Sequence, residues 1–213
     1  MPTMPPRSEQ QLVEIVRQAL QSVRNEPGNA LRRGVAERSV THSIAVYLHL
    51  AFPDLQVDCE YNRNGARPKY VDIPSAHLTP SARKPYREKA MKKRAKRVTT
   101  KKAIEQWTTF RTTTYPDILI HERGTNDRNL LVIEVKMAGD GRGEDGASVD
   151  VAKLRAFTSP AGKMGARYHY QLGLFIVLEE TGETFRYFRH GEEIQEGELR
   201  ADAEQVPASH ARP

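Results

Sequence analysis

The sequence predicts an α/β fold in which helices flank a small mixed sheet. Amphipathic helical patterns occupy the first 50 residues, and strand patterns with one further helix follow through residues 55–190. The run LGLFIVL, residues 172–178, is apolar throughout, which is typical of a central strand buried on both faces. Because helices and strands are mixed along one chain, we expect a layered arrangement with helices packed on the sheet.

Two helices are predicted before the first strand. Residues 8–23 begin with Ser8 and Gln11 in capping-box spacing and then place their apolar side chains on one stripe. A second helix is predicted from about Val35 to His49. Glu37 stands at the start of the apolar stripe of this helix, so its side chain should face whatever the helix packs on.

The remaining elements follow in order along the chain. LQVDCEY, residues 55–61, alternates apolar and polar side chains, which predicts a half-exposed strand. Two strands around a polar turn are predicted in YPDILIHERGTNDRNLLVIEVK, residues 115–136. A glycine-rich loop then leads to a helix from Val149 to about Phe157, and the strands YQLGLFIVLE and TFRYFRH follow.

The chain is predicted to form one domain over residues 1–190, followed by a loosely attached tail over residues 191–213. The tail is charged and has no apolar stripe that could join a core. Periodicity also fails over residues 63–112, which predicts an insertion between the first two strands.

Charge is strongly segregated along the chain. Residues 63–102 hold 14 Lys/Arg and 2 acids, a net charge of +12, whereas the rest of the chain holds 19 basic and 25 acidic residues. A basic element on an acidic body is typical of a surface that faces a polyanion. A solvated or disordered charged arm is the alternative interpretation.

The composition also bears on compartment and membrane association. The single cysteine, Cys59, excludes an internal disulfide and makes a reducing, cytoplasmic compartment the simplest expectation. The longest uninterrupted apolar run, residues 172–178, is far shorter than the roughly 20 residues of a membrane-spanning helix. The N-terminus has no apolar segment like that of a secretory signal. No membrane partner is therefore expected.

Three charged residues interrupt the predicted hairpin: Asp117, Glu134 and Lys136. Side chains alternate between faces along a strand, so Glu134 and Lys136 share a face, with Cα atoms about 6.5 to 7 Å apart. If the hairpin turns symmetrically between Thr125 and Asn126, antiparallel pairing places Asp117 directly opposite Glu134. A slip of one residue would send Glu134 to the other face, so the site depends on this register.

Opposed carboxylates destabilise a sheet unless positive charge lies between them. Mg²⁺ typically takes one or two carboxylates from a protein and completes its shell with water and substrate phosphate. Asp117 and Glu134 are therefore predicted to hold Mg²⁺ or Mn²⁺, with Lys136 orienting the attacking water or balancing charge on the phosphate. A surface salt bridge between Glu134 and Lys136 is the alternative, but VIEVK is too apolar to favour it.

Pro116-Asp117, a spacer, and Glu134-Val135-Lys136 resemble the signature of the PD-(D/E)XK nuclease superfamily. The resemblance includes the elements around the hairpin, over residues 35–61 and 115–178. It implies a restriction-endonuclease-like core, with a central four- to five-stranded mixed sheet flanked by helices, and metal-dependent hydrolysis of phosphodiester bonds. Glu37 is similar in position to a metal-binding glutamate that some members carry on the first core helix, although an acid there also complements the helix dipole.

The sequence thus predicts a Mg²⁺-dependent nuclease that acts on nucleic acid, with DNA favoured over RNA. Lys153, on the helix after the hairpin, is a further candidate for phosphate contact, and Asp150 is predicted to cap that helix. Basic residues of the insertion are predicted to grip phosphates without reading base sequence. They are Arg83, Lys84, Arg87, Lys89, Lys92, Lys93, Arg94, Lys96, Arg97, Lys101 and Lys102.

Two other functions stay open at this point. The chain can be a nucleic-acid-binding module that does not cleave, with the basic segment as its working part. It can also be an adaptor subunit of a bacterial defence or mobile-element system, with the acids serving an interface. The sequence also leaves open whether the protein acts as a homodimer or with an accessory protein.

Overall fold

The protein is a mixed α/β structure in which helices flank a six-stranded mixed sheet. The computed structural model describes residues 6–27, 31, 35–64, 67–94, 109–139, 143–160 and 168–202, with the backbone alone for residues 89–94. None of the helices in these ranges is long and apolar enough to cross a membrane.

The predicted helices and strands occur in the predicted order, and further strands that were not predicted occur among and after them. The helices are α1 (Glu9–Asn25), α2 (Glu37–Ala51), α3 (Pro80–Arg94) and α4 (Gly143–Thr158). The strands are β1 (Gln56–Cys59), β2 (Arg63–Asn64), β3 (Arg67–Pro68), β4 (Tyr70–Pro74), β5 (Thr109–Thr113), β6 (Ile118–His121), β7 (Asn129–Met137), β8 (Leu172–Leu178), β9 (Glu183–Arg189) and β10 (Glu192–Ile194). Single 3₁₀ turns cover Ser75–His77 and Glu196–Glu198.

The central sheet has the strand order β1-β6-β7-β8-β9-β10, in which β7 and β8 run parallel and the other neighbours antiparallel. Strands β2 and β3 form one separate two-stranded ribbon, and β4 and β5 form another. Helices α1 and α2 contribute to the core on one face of the sheet, and α4 with the β4–β5 ribbon contributes to the core on the other. The sheet has six strands rather than the predicted four to five because β10 belongs to a segment assigned to the tail.

The described part of the tail is attached to the body. Strand β10 pairs with β9, and Arg200 N donates a hydrogen bond to Glu9 Oε2 at 3.0 Å. Arg189 contacts the same carboxylate at 2.9 Å, and Leu199 is buried. A loosely attached tail is therefore wrong for residues 192–200, since backbone pairing and ion pairs replace the missing apolar stripe. Residues 203–213 lie outside the described ranges.

Helix α4 begins earlier than predicted. It starts at Gly143 instead of Val149, so part of the glycine-rich segment expected to be a loop is helical. Acids in the first turn, Glu144 and Asp145, stabilise this start by complementing the helix dipole. Asp150 therefore lies two turns inside the helix and is buried, so its predicted role as a cap is wrong.

The insertion lies between β1 and β6, which pair with each other. It contains the two ribbons and α3, and Tyr86 of α3 stacks on Phe110 of β5 with ring centroids 5.6 Å apart. Among the predicted phosphate contacts, Arg83, Lys84 and Arg87 lie on α3 with described side chains. For four more of them the structure describes the helical backbone alone: Lys89, Lys92, Lys93 and Arg94. The other four lie outside the described residues: Lys96, Arg97, Lys101 and Lys102.

A buried lysine lies where the insertion meets the body. Lys69, between β3 and β4, is 2% exposed, and its Nζ lies 4.7 Å from the centroid of the Tyr61 ring. Burial lowers the pKa of Lys69 to about 8 from its ordinary value of 10.5, although Asp58 opposes the shift. Between these two values the unfolded chain binds more protons than the folded protein, so stability should rise with pH.

We expect wild-type stability to increase by up to about 3 kcal/mol between pH 8 and pH 10.5, relative to a Lys69→Met variant. Urea denaturation of both proteins at several pH values measures the difference in their free energies of unfolding. The contributions of groups that titrate in both proteins cancel in this difference. The variant should also be the more stable protein at pH 7, because it buries no charge there. Parallel stability curves for the two proteins would show that Lys69 keeps an ordinary pKa.

Candidate active site

The hairpin of β6 and β7 has the register on which the predicted site depends. Ile118 lies opposite Ile133 in the antiparallel ladder, and the same register carried one step further places Asp117 opposite Glu134. Val135 N donates a hydrogen bond to Asp117 Oδ2 at 2.7 Å, which fixes the carboxylate against β7. A β-bulge shifts the ladder only at the turn end of the hairpin. The local pairing is therefore as predicted.

Six charged side chains meet at this end of the hairpin, and we call them the acid–lysine cluster. They interact electrostatically with one another and come from three parts of the fold. The members are Glu37 at the start of α2, Asp117 before β6, Glu134 and Lys136 on β7, and Asp150 and Lys153 on α4. With all six ionised, four carboxylates and two ammonium groups give a formal charge of −2.

Asp150 links the two lysines of the cluster. Its Oδ2 lies 3.1 Å from Lys136 Nζ, and its Oδ1 lies 2.6 Å from Lys153 Nζ. Lys136 Nζ also lies 3.2 Å from Glu37 Oε1. Lys153 Nζ lies 3.7 Å from Glu134 Oε1, too far for a hydrogen bond. Both lysines therefore sit between carboxylates, and Asp150 sets the position of each.

Burial raises the pKa of both hairpin acids. Glu134 is 1% exposed, and its Oε1 has no hydrogen-bond partner among the described residues. Its pKa lies well above the ordinary range because desolvation outweighs the attraction of Lys153. Burial also raises the pKa of Asp117, against the hydrogen bond from Val135 N. These acids are held in an environment that favours neutralisation by a proton or a cation.

The pKa values of the two lysines are also raised, but by the neighbouring acids and not by burial. Burial alone lowers the pKa of Lys136, but Asp150, Asp117 and Glu37 together raise it above the ordinary value. The same balance, with Glu134 and Asp150 as the main acids, raises the pKa of Lys153. Both ammonium groups therefore stay charged across the physiological range and can donate hydrogen bonds to an anionic substrate.

The carboxylate oxygens of Asp117 and Glu134 are suitable ligands for a divalent cation. Glu134 Oε1 is a buried acceptor without a hydrogen bond, and Mg²⁺ commonly uses one or two carboxylates. Among the described residues, no three or more His, Cys, Asp or Glu side chains are grouped so that they could hold a metal ion. Glu37 instead contacts Lys136, and its predicted role as a third ligand stays a prediction.

The basic helix α3 is anchored close to the cluster. Ser81 donates a hydrogen bond to Asp145 of α4 at 2.6 Å, and Thr79 donates to the same carboxylate. Further along α3, Tyr86 interacts electrostatically with Lys153 and Asp150. The segment predicted to grip phosphates therefore starts beside the acids predicted to hold the cation.

Asp150 is the member of the cluster whose part the sequence did not reveal. Its spacing of three residues from Lys153 places both on one helical face. Its neighbours Val151 and Leu154 are buried, which puts that face at the edge of the core. Its role could be predicted only with the correct helix start at Gly143, because a helix that starts at Val149 would place Asp150 at an exposed capping position.

Comparison of the chain with protein-family models, curated proteins and solved structures found no match. The resemblance to the PD-(D/E)XK superfamily therefore rests on the residues of the hairpin and on their surroundings.

Proposed function

We propose that this protein is a divalent-cation-dependent nuclease with a restriction-endonuclease-like fold that hydrolyses phosphodiester bonds in nucleic acid, with DNA favoured over RNA. The observation that carries this proposal is the hairpin register, which places Asp117 opposite Glu134 and puts Lys136 on the same face. The buried, undercompensated carboxylate of Glu134 supports it, because a structural ion pair would be better satisfied.

Five members of the acid–lysine cluster have a role in this proposal, and Glu37, which contacts Lys136, stays a predicted third ligand. Asp117 and Glu134 hold the cation, which when bound supplies positive charge to polarise the scissile phosphate and lower the pKa of the attacking water. Lys136 donates hydrogen bonds to the attacking water or to a phosphate oxygen, where negative charge grows in the transition state. Asp150 holds Lys136 in place, and Lys153 compensates Glu134 and lies within reach of a phosphate.

Helix α3 supplies affinity rather than chemistry in this proposal. Arg83, Lys84 and Arg87 lie on the half of α3 that is anchored to α4, and the lysine-rich half continues away from that anchor. Contacts between such residues and phosphates are independent of sequence and weaken steeply with salt. We therefore expect α3 to bind the phosphate backbone of the nucleic acid, and the phosphodiester bond to be cleaved at the acid–lysine cluster.

The direct test is cleavage of plasmid, linear duplex and single-stranded nucleic acid in Mg²⁺ or Mn²⁺, with EDTA as the blank. Asp117→Asn should slow the reaction by about 10²-fold, because it removes one of the two charged ligands while keeping the side-chain shape. Asp202→Asn, at an exposed position, is the matched control and should cleave like the wild type.

Full activity in Asp117→Asn would contradict the proposed mechanism. Salt-sensitive binding of nucleic acid without any cleavage would favour a binding module instead. If the wild type neither binds nor cleaves nucleic acid, an adaptor subunit becomes the better interpretation.

A further inference from the structure

The β4–β5 ribbon has a buried face and an exposed face. Its inner side chains, which include Val71, Ile73 and Phe110, pack in the core that also contains α4. On the outer face, Tyr70 is 42% exposed and Tyr115 is 54% exposed. Single exposed aromatic residues are common on proteins, whereas two neighbouring rings on one face can form a continuous apolar surface.

The register makes the two tyrosines neighbours. Tyr70 pairs with Thr113, and Thr114 N donates a hydrogen bond to the Lys69 carbonyl at 3.2 Å, which extends the ladder by one residue. Tyr115 is therefore the diagonal neighbour of Tyr70 on the outer face, about 7 to 8 Å away and within reach of aromatic side chains.

The backbone beneath these rings is fixed. Tyr168 Oη accepts a hydrogen bond from Tyr70 N at 2.9 Å and donates one to Tyr70 O at 3.0 Å. Tyr168 itself is buried against Phe157, with ring centroids 5.1 Å apart. Because the strand cannot rotate without breaking these bonds, the outward direction of Tyr70 is set before any ligand arrives.

The acid next to Tyr70 along the ribbon is compensated by an arginine. Asp72, on the same face, is held in a bidentate ion pair by Arg111, with both contacts at 2.7 Å. No other acid occurs in residues 61–74. The adjoining β2–β3 ribbon presents Arg63 and Arg67, both exposed. Exposed rings beside cationic side chains favour a polyanion that also has flat apolar groups.

We propose that Tyr70 and Tyr115 form a stacking platform for unpaired bases of a single-stranded nucleic-acid segment. Tyr115 precedes Asp117 by two residues, a distance of about 7 Å along an extended chain, so the platform adjoins the acid–lysine cluster. Bases inside a duplex are already stacked on one another, whereas unpaired bases can lay a face on an aromatic ring. The position of the platform next to the cut rests on the proposed nuclease function, but its binding of single strands does not.

The test is fluorescence anisotropy with a labelled single-stranded DNA oligonucleotide and with its duplex, both in EDTA at fixed salt. Tyr70→Ala and Tyr115→Ala should each weaken single-strand binding by about 5- to 100-fold, since one base stack is lost. Tyr70→Phe and Tyr115→Phe keep the ring and should bind within about twofold of the wild type. Leu50→Ala, which alters a still more exposed apolar side chain on α2, should leave binding unchanged.

Selective loss of single-strand affinity with unchanged duplex affinity supports the platform. Equal loss for both ligands, or a wild type that does not bind the oligonucleotide, overturns it. Self-association of the wild type that both alanine variants abolish would assign the face to a second copy of the chain and would also overturn it.

The same experiment separates this inference from the proposed function. If the alanine variants bind single strands normally while cleavage still requires Asp117, the platform fails and the nuclease proposal stands. If the variants lose single-strand binding but no cleavage is ever detected, the nuclease proposal fails and the platform stands.

Discussion

Replacing Glu134 by glutamine is expected to lower the proposed nuclease activity by about 10³-fold without lowering the stability of the protein. Burial raises the pKa of Glu134 well above its ordinary value, so the ionised side chain destabilises the fold at neutral pH. Glutamine keeps the shape and removes the charge. Lys153 keeps a close partner in the variant, because Asp150 lies 2.6 Å from its Nζ. Catalysis and stability should therefore change in opposite directions.

The pH dependence of Glu134→Gln gives this expectation a definite sign. A carboxyl group whose folded pKa is raised contributes fully to stability below its unfolded pKa, and that contribution is lost as the pH rises through the folded pKa. The stability of the variant relative to the wild type should therefore be greater at pH 8 than at pH 4. Urea denaturation at the two pH values measures this, and cleavage assays in Mg²⁺ measure the activity.

Binding of the proposed cation can be measured apart from cleavage. Calorimetric titration with Mn²⁺ should show binding by the wild type and a large loss of affinity in Glu134→Gln. Glu180→Gln, at an exposed position, is the matched control for all three measurements. If Glu134→Gln loses stability together with activity, Glu134 is a structural partner of Lys153 and its assignment as a ligand is wrong.

The predicted part of the site is the part that one hairpin contains. Asp117, Glu134 and Lys136 belong to one hairpin. Because side chains alternate between the two faces of a sheet, the register of this hairpin alone decides whether the three share a face. Asp150 and Lys153 join them only through the packing of α4 across the sheet. That packing depends on where α4 begins and on long-range contacts, which local patterns do not encode.

Strand β1 shows how contacts from the β6–β7 hairpin change a prediction made from alternation. Apolar alternation over residues 55–61 predicts that Asp58 faces solvent and that Cys59 is buried, yet Asp58 is 7% exposed and Cys59 is exposed. Asp58 accepts two hydrogen bonds from the Arg123 guanidinium, one of them from Nε at 2.7 Å, and its Oδ2 lies 3.0 Å from His121 Nε2. A carboxylate that accepts several charged hydrogen bonds can be buried where an apolar pattern would exclude it.

The described part of the insertion contains strands that its sequence pattern does not predict. Residues 67–74 alternate faces in the order expected of a strand, but Lys69 occupies a buried position among Val71 and Ile73. A lysine at a core position breaks the apolar alternation on which the prediction of strands depends. Its burial becomes understandable only from the aromatic rings of Tyr61 and Tyr168 that surround it in the folded protein.

Lys153→Met is expected to destabilise the protein by about 3 to 5 kcal/mol at pH 7, the largest stability change expected of a single substitution in the acid–lysine cluster. Lys153 is the ammonium group nearest to Glu134, and its side chain is 16% exposed. Without it, Glu134 either stays ionised and buried without compensation or takes up a proton. Asp150 retains Lys136 at 3.1 Å, so the loss should fall mainly on Glu134.

A double-mutant cycle tests this assignment through stability alone. Adding Glu134→Gln to Lys153→Met should recover part of the lost stability, because the carboxylate left without a partner is then gone, with a coupling energy of about 1 to 3 kcal/mol. Lys84→Met, an exposed lysine of α3, should change stability by less than about 0.5 kcal/mol. If the two substitutions change the free energy of unfolding additively, another group compensates the charge of Glu134. A buried charge without compensation would then no longer explain why Glu134 binds a cation. Recovery would show that the buried carboxylate depends on positive charge, which Lys153 supplies in the free protein and which a divalent cation would supply in the proposed reaction.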